Sequence, residues 1–191
     1  MYKKQMGIQR ILCILAVVAG ALVFAYALGV MTDLYEMLYY ISDADVDVDT
    51  SLYYDMQGFT HTLQWVGIGL ILVACVLFIT NTQQRRRYYI SNYISSLLVA
   101  GCNIAAAYWA VTGIQPFRAR FLDLEFDTIE QWLEAEGYSG FFTTSTFWFD
   151  AVWFVFGFAA LIAILLIVNM FWKNTLMASE RDLLQGNGKA V

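Results

Sequence analysis

The sequence contains little of what soluble domains and most enzymes use. Of its 191 residues only 14 % are charged, and it has one histidine, one proline and three cysteines. Cys13, Cys75 and Cys102 stand singly in apolar stretches, without a C-x-x-C pair, which disfavours a thiol oxidoreductase. With one histidine, most zinc sites are excluded as well. Phosphate-binding loops, G-x-S-x-G, H-E-x-x-H and N-x-S/T sequons do not occur, so we expect neither an enzyme nor a cofactor.

What the chain has instead is long apolar runs, and 60 % of it is hydrophobic. A helix needs roughly 20 apolar residues to cross a bilayer. Four runs meet that requirement without a charged residue or histidine in their interiors: 11–30, extending toward 41, then 62–81, 88–113 and 148–172. A spanning backbone must satisfy its own hydrogen bonds, and such runs do so as helices. The sequence therefore predicts an all-α membrane protein with four transmembrane helices in a single domain, 1–191.

The charges are divided between the connecting segments. Nine of the eleven basic residues lie before the first run, between the second and third, or after the fourth, whereas segments 31–61 and 114–147 hold thirteen of the sixteen acidic residues. The positive-inside rule then predicts cytoplasmic N- and C-termini and two acidic extracytoplasmic loops. The tail, 173–191, is expected to be cytoplasmic with a disordered end. The lack of sequons and of outer cysteines favours a bacterial plasma membrane.

The N-terminus permits a second interpretation. Lys3, Lys4 and Arg10 followed by an apolar run and Ala25-Tyr26-Ala27 resemble a signal peptide with its cleavage site. The apolar run continues to Val30, which is long for a signal. We therefore expect the first helix to be retained.

The second acidic loop contains a helix signal, DTIEQWLEAEG. Asp127 is placed to cap the helix with Glu130 reaching back, and Gly137 to end it. Its apolar stripe is formed by Ile129, Trp132 and Leu133. We expect a short amphipathic helix whose stripe packs on the protein's own first outer loop, the alternative cover being an extracellular partner.

Small residues at four-residue spacing predict where helices meet, because lipid provides no hydrophobic drive for helices to associate. The predicted packing residues are Ala16, Gly20, Ala21, Ala25 and Gly29 in the first helix, and Gly101 and Ala105 in the third. These faces either hold the four helices together or dock a separate membrane subunit. The first use is the default expectation.

Few polar groups lie at membrane depth. Asn92, Asn103 and Asn169 are best explained by hydrogen bonds between helices. His61 and Asp150 stand at the predicted outer boundary, where they either form a pH-sensitive pair or have no relationship.

Four aspartates alternate along the first outer loop: Asp43, Asp45, Asp47 and Asp49. A helix–loop–helix calcium site needs a glycine at position 6 and a glutamate at position 12. Counted from Asp43 these positions hold Val48 and Tyr54, and counting from Asp45 fails equally. The stretch is therefore predicted to be a solvated acidic ridge, and calcium binding there only a weak alternative.

These patterns favour an accessory or assembly subunit of a larger membrane complex, with an acidic outer cap. Its expected partners are the lipid bilayer and another membrane protein or a second copy of the chain, and no nucleic acid. The alternative is a small oligomeric cation channel or carrier whose acidic loops form an outer vestibule. An interfacial enzyme would rest on Asp-x-Asp alone.

Overall fold

The structure, a computed structural model, describes residues 2–41, 51–82, 89–135, 137 and 142–187. All regular structure in these residues is helical. The helices are α1 (Tyr2–Asp33), α2 (Glu36–Ile41), α3 (Ser51–Thr82), α4 (Tyr89–Leu122), α5 (Phe126–Ala135) and α6 (Phe147–Asn187).

Four of these helices are long and apolar enough to cross a membrane. The candidate spans are Lys4–Leu38, Ser51–Asn81, Ile90–Leu122 and Phe147–Ser179. The prediction of an all-helical protein with four apolar helices is confirmed, and the chain is a multi-pass membrane protein.

Helix α3 begins eleven residues before the predicted run that starts at Thr62. In this first part Leu52, Met56 and Thr60 recur every four residues and are all buried. The segment is amphipathic rather than uniformly apolar, so a search for continuous apolar runs stops short of it.

Helix α4 runs past the predicted end at Gly113, through Pro116, to Leu122. Proline has no N–H to donate to the carbonyl four residues back, which normally ends a helix. Here the chain stays helical because Ile114 and Phe121, seven residues apart, are both buried on one face, while Pro116 is exposed. Packing overrides the local preference.

The other two long helices also exceed the predicted spans. Helix α1 begins nine residues before the predicted run, and the predicted extension toward residue 41 is formed by α1 to Asp33 and, after a break at residues 34 and 35, by α2. Helix α6 continues to Asn187, so most of the predicted tail, 173–191, is helical.

The chain divides into two compact units. The terminal unit comprises Met1–Gly20, Gly69–Ala105 and Phe158–Val191, and the loop unit comprises Ala21–Ile68 and Ala106–Gly157. Each of the four long helices contributes to both.

The terminal unit has an aliphatic core. Its buried cluster consists of Leu12, Cys13, Ala16, Ala74, Leu77, Val99, Ile162 and Leu166. Helices α1 and α3 approach closely at Gly20, because a Cβ placed there would lie 2.8 Å from the backbone nitrogen of Ile71. Only glycine permits that approach.

The core of the loop unit contains packed aromatic rings among its aliphatic side chains. Phe121 lies 4.9 Å from Phe149, and Phe59 lies 4.9 Å from Trp109, measured between ring centroids. A second close approach occurs here, since a Cβ on Gly67 would lie 2.6 Å from the backbone nitrogen of Phe24.

Helix α5 is the helix predicted in the second acidic loop, but a different residue lies at its N-terminal cap. Glu125, not Asp127, precedes its first turn: the Glu125 carbonyl accepts from the Ile129 amide, and its carboxylate accepts from the Thr128 hydroxyl. Gly137 follows the helix with a φ of 76°, as a C-terminal glycine does.

The apolar stripe of α5 is covered by the protein itself. Ile129 and Leu133 are buried within this single chain, and Trp132 is half-buried. The ring of Phe126, at the start of α5, packs 5.0 Å from that of Phe121 on α4. A partner is therefore not required to bury the stripe.

Candidate functional site

Five polar side chains are buried together in the terminal unit, and we call them the terminal cluster: Gln5, Gln9, Asn92, Asn169 and Lys173. Gln5 and Gln9 are four residues apart on α1, as are Asn169 and Lys173 on α6, so each pair lies on one helix face. Asn92 comes from the first turn of α4. Three helices thus bring amides and an ammonium group to one place.

A continuous chain of hydrogen bonds joins the cluster. Gln5 Nε2 donates to Gln9 Oε1 at 3.0 Å and to Asn169 Oδ1 at 3.3 Å. Gln9 Nε2 donates to Asn92 Oδ1 at 2.6 Å. Lys173 Nζ donates to the same oxygen at 2.7 Å, which makes Asn92 the shared acceptor of α1 and α6.

The ammonium group of Lys173 has a second neighbour. Its Nζ lies 5.5 Å from the ring centroid of Tyr93, within the range of a cation–π interaction. Asn92 and Tyr93, adjacent on α4, therefore fix the position of the charge.

Two buried polar atoms of the cluster have no hydrogen-bond partner. They are Asn92 Nδ2, a donor, and Gln5 Oε1, an acceptor. A buried polar atom left unpaired costs free energy, so such atoms mark places where a polar group from outside the chain would be stabilised.

Helix α3 joins the same unit through hydroxyl groups. Thr80 Oγ1 and Ser95 Oγ are 2.8 Å apart, and Ser95 Oγ also donates to the Asn92 carbonyl at 3.2 Å. All four long helices are thus linked by polar side chains in the terminal unit.

The three asparagines behave differently. Asn92 and Asn169 form the predicted hydrogen bonds between helices. Asn103 Nδ2 instead donates to the Val99 carbonyl of its own helix, and its Oδ1 is buried without a partner.

The predicted packing residues fall into two groups. Ala16 and Gly20 are buried, and Gly29 is half-buried against the ring of Trp148, which occupies the place of a Cβ. The remaining four, Ala21, Ala25, Gly101 and Ala105, are exposed. Close approaches at Gly67 and at Gly113, which faces Phe59, were not predicted.

His61 and Asp150 have separate neighbours. Asp150 accepts from Arg118 Nε at 3.2 Å and from Thr146 Oγ1 at 2.7 Å. The ring of His61 lies 6.3 Å from that of Trp65. The structure does not join the two residues.

No group of three or more histidine, cysteine, aspartate or glutamate side chains suited to a metal ion occurs among the described residues. The weak calcium candidate, Asp43, Asp45, Asp47 and Asp49, lies outside them.

Sequence reasoning missed Gln5, Gln9 and Lys173. The sequence signal for them is the four-residue spacing of Gln5 with Gln9 and of Asn169 with Lys173, which places each polar pair on one face of its helix. The charge of Lys173 had been assigned to orientation only.

The chain matches no protein-family model, and comparison with curated proteins and with solved structures gives no significant match.

Proposed function

We propose that the protein is a non-catalytic subunit of a larger complex in the plasma membrane of a bacterium, with cytoplasmic termini and an acidic outer cap. The observation that carries this proposal is a packing face on α4 that the chain itself does not use. Gly101 and Ala105 are exposed one turn apart, and nothing lies within 4 Å of the position of a Cβ on Gly101.

This face contrasts with the glycine that the terminal unit does use. At Gly20 the neighbouring helix occupies the space of the missing side chain, whereas at Gly101 that space is open. Small residues in membrane helices allow close approach of another helix, and lipid alone does not require them. The open face on α4 therefore suits a helix of a partner membrane protein.

The alternative, a channel or carrier, has less support. Outside the terminal cluster the buried side chains of both units are mostly apolar, so a polar path across the membrane would have to be built between copies of the chain. An acidic outer cap is equally compatible with a subunit that presents it to a partner.

Copurification with matched glycine variants tests the proposal. The protein is extracted from its native membrane in mild detergent, as the unmodified chain, Gly101→Leu and Gly157→Leu. Gly157 is also an exposed helical glycine with open space, but it has leucine and tryptophan, not small residues, four positions away.

We expect one defined membrane protein at constant stoichiometry with the unmodified chain and with Gly157→Leu, and its loss with Gly101→Leu. A chain that is extracted alone and monomeric, or a partner that tolerates both variants, would contradict the proposal.

A further inference from the structure

Two asparagines of α4 each have one buried atom that is not hydrogen-bonded to any described residue. They are Asn92 Nδ2, a donor, and Asn103 Oδ1, an acceptor. Both residues belong to the terminal unit, and their exposed fractions are 5 % and 1 %. A buried polar atom without a partner costs free energy, and in folded proteins such atoms are paired with protein or with ordered water. The two amides therefore indicate bound groups from outside the chain.

The hydrogen bonds of each side chain fix which of its atoms is unpaired. Asn103 Nδ2 donates to the Val99 carbonyl at 2.8 Å, so turning this amide over would point one oxygen at another. Asn92 Oδ1 accepts from Gln9 Nε2 and Lys173 Nζ, so turning that amide over would point donors at one another. Exchanging oxygen and nitrogen therefore pairs neither atom.

The chemistry of the two atoms selects the ligand. An anion would suit only the donor of Asn92 and a cation only the acceptor of Asn103, whereas water both accepts and donates hydrogen bonds. Size favours the same choice, because a larger group at side chains so fully buried would have to push the helices apart. Ser95 and Ser96, between the two asparagines on α4, are also buried and add hydroxyl groups to the same stretch.

Depth in the membrane makes Asn103 the more demanding of the two. Asn92 is two residues into the candidate span Ile90–Leu122, and Asn103 is thirteen residues into it. At 1.5 Å per residue, Asn103 lies about 20 Å from the start of the span, and a bilayer core is roughly 30 Å thick. Lipid chains offer no hydrogen-bond donor, so a donor for Asn103 Oδ1 has to be held inside the protein.

We propose that Asn92 and Asn103 each bind an internal water molecule. The water at Asn92 accepts a hydrogen bond from Nδ2, and the water at Asn103 donates one to Oδ1. Hydrogen bonds to ordered water are nearly as favourable as direct ones, and buried water is a regular part of folded proteins. Hydration of α4 goes beyond the proposed assembly function and does not depend on the open face at Gly101.

Magnetisation transfer from water in solid-state NMR tests the proposal. The full chain is reconstituted in bilayers of deuterated phosphatidylcholine, with carbon-13 and nitrogen-15 in asparagine and alanine only. Transfer is read at the carboxamide carbons of Asn92 and Asn103 and at two buried methyl groups of α4. Ala100 lies three residues before Asn103, on the same face of the helix, and Ala110 lies seven residues after it.

We expect transfer to Asn92, Asn103 and Ala100 to build up several-fold faster than transfer to Ala110. The methyl group of Ala110 is as buried as that of Ala100, but only alanine, glycine and isoleucine lie one turn away from it. Burial alone would give the two methyl groups equal rates.

Asn103→Leu tests whether the amide holds the water. Leucine keeps the branched shape of the side chain and removes both polar atoms. We expect transfer to Ala100 to fall to the rate of Ala110, and transfer to Asn92 to stay unchanged. In the unmodified chain, equal rates at Ala100 and Ala110 or a lack of transfer to either asparagine overturns the proposal, whether or not the variant folds. An unchanged rate at Ala100 in the folded variant overturns it as well.

Discussion

The two units of the protein hold their helices together with different chemistry. In the terminal unit the helices are linked by amides, hydroxyls and one lysine around an aliphatic core. In the loop unit aliphatic side chains and pairs of aromatic rings fill the same role, with ion pairs at the surface. Each unit also has a close backbone contact at a glycine, Gly20 in the terminal unit and Gly67 in the loop unit. Measured hydrogen bonds between membrane helices stabilise by only about 0.6 kcal/mol on average. Adding a methyl group at a glycine in close backbone contact is expected to cost more than that, because the neighbouring backbone cannot move aside for the added atom.

The largest effect is expected in the loop unit, at Gly67. In Gly67→Ala the new methyl group would lie 2.6 Å from the Phe24 backbone nitrogen and 2.8 Å from its Cα. Overpacking costs up to about 3 kcal/mol and more where the obstacle is rigid, so we expect a loss of at least that much free energy of unfolding. Denaturant titration in detergent micelles measures it.

Gly69→Ala is the control for that change. Gly69 lies two residues further along α3, where a Cβ meets nothing within 4 Å. Removing a helical glycine there is expected to be neutral or to stabilise by about 1 kcal/mol. Similar losses in both variants would show that the contact with the Phe24 backbone is not the cause of the loss.

The next effect is expected in the terminal unit, at Asn92. Asn92→Leu removes the acceptor shared by Lys173 and Gln9, which leaves a buried ammonium group with one hydrogen bond fewer. Removing one partner of a buried interaction with a charged group is costly, because the charge stays buried. We expect Asn92→Leu to lose about 2 to 3 kcal/mol of free energy of unfolding, measured in the same titration.

A double-mutant cycle with Lys173→Met tests the reason. If the cost comes from the ammonium group, the double variant is less destabilised than the sum of the single ones by about 1 kcal/mol or more. Strict additivity would mean that Asn92 acts through packing alone.

A smaller effect is expected at Trp148, in the loop unit. Its Nε1 donates to Asp33 Oδ2, so Trp148→Phe leaves that partly buried carboxylate without this donor. We expect a loss of about 1 to 2 kcal/mol. Trp153→Phe changes an exposed ring of the same helix and should cost much less free energy of unfolding. Equal losses in the two variants would mean that the smaller ring, and not the lost hydrogen bond to Asp33, causes the effect.

The smallest effect is expected at the surface ion pair of the loop unit. Arg120 Nη1 lies 2.7 Å from Asp55 Oδ2, but the two side chains are 38 % and 57 % exposed. Exposed pairs contribute less than about 1 kcal/mol and are screened by salt. Asp55→Asn should therefore shift stability slightly at low salt and not at high salt. A loss that persists in high salt would mean that the bond of Arg120 to Ser51 also depends on the pair.

The sequence was sufficient for the number and class of the long helices, because four uncharged apolar runs have few alternatives in lipid. It was insufficient for their ends. Leu52 and Met56 before the second span, and Ile114 and Phe121 after the third, are buried on one face of amphipathic segments that a length criterion for apolar runs does not detect. Pro116 is no guide to this end either, because the helix continues through it.

The candidate site was predicted only in part. Asn92 and Asn169 were identified as helix-joining residues from their depth alone. Gln5 and Gln9 were missed because they precede the apolar run, and Lys173 because a basic residue after a span indicates orientation. Which polar residues meet is decided by the rotation of each helix about its axis, and that is set by packing on three neighbours at once.

The extension of α4 has a consequence for proteolysis. Between Arg87 and Lys173 the only residues after which trypsin cleaves are Arg118 and Arg120. Both lie inside α4 and are paired, with Asp150 and Asp55 respectively. Cleavage requires local unfolding of the helix, so trypsin should spare this stretch. A glutamate-specific protease, directed at the exposed Glu130 and Glu134, is the reagent that would report which side of a sealed vesicle α5 faces.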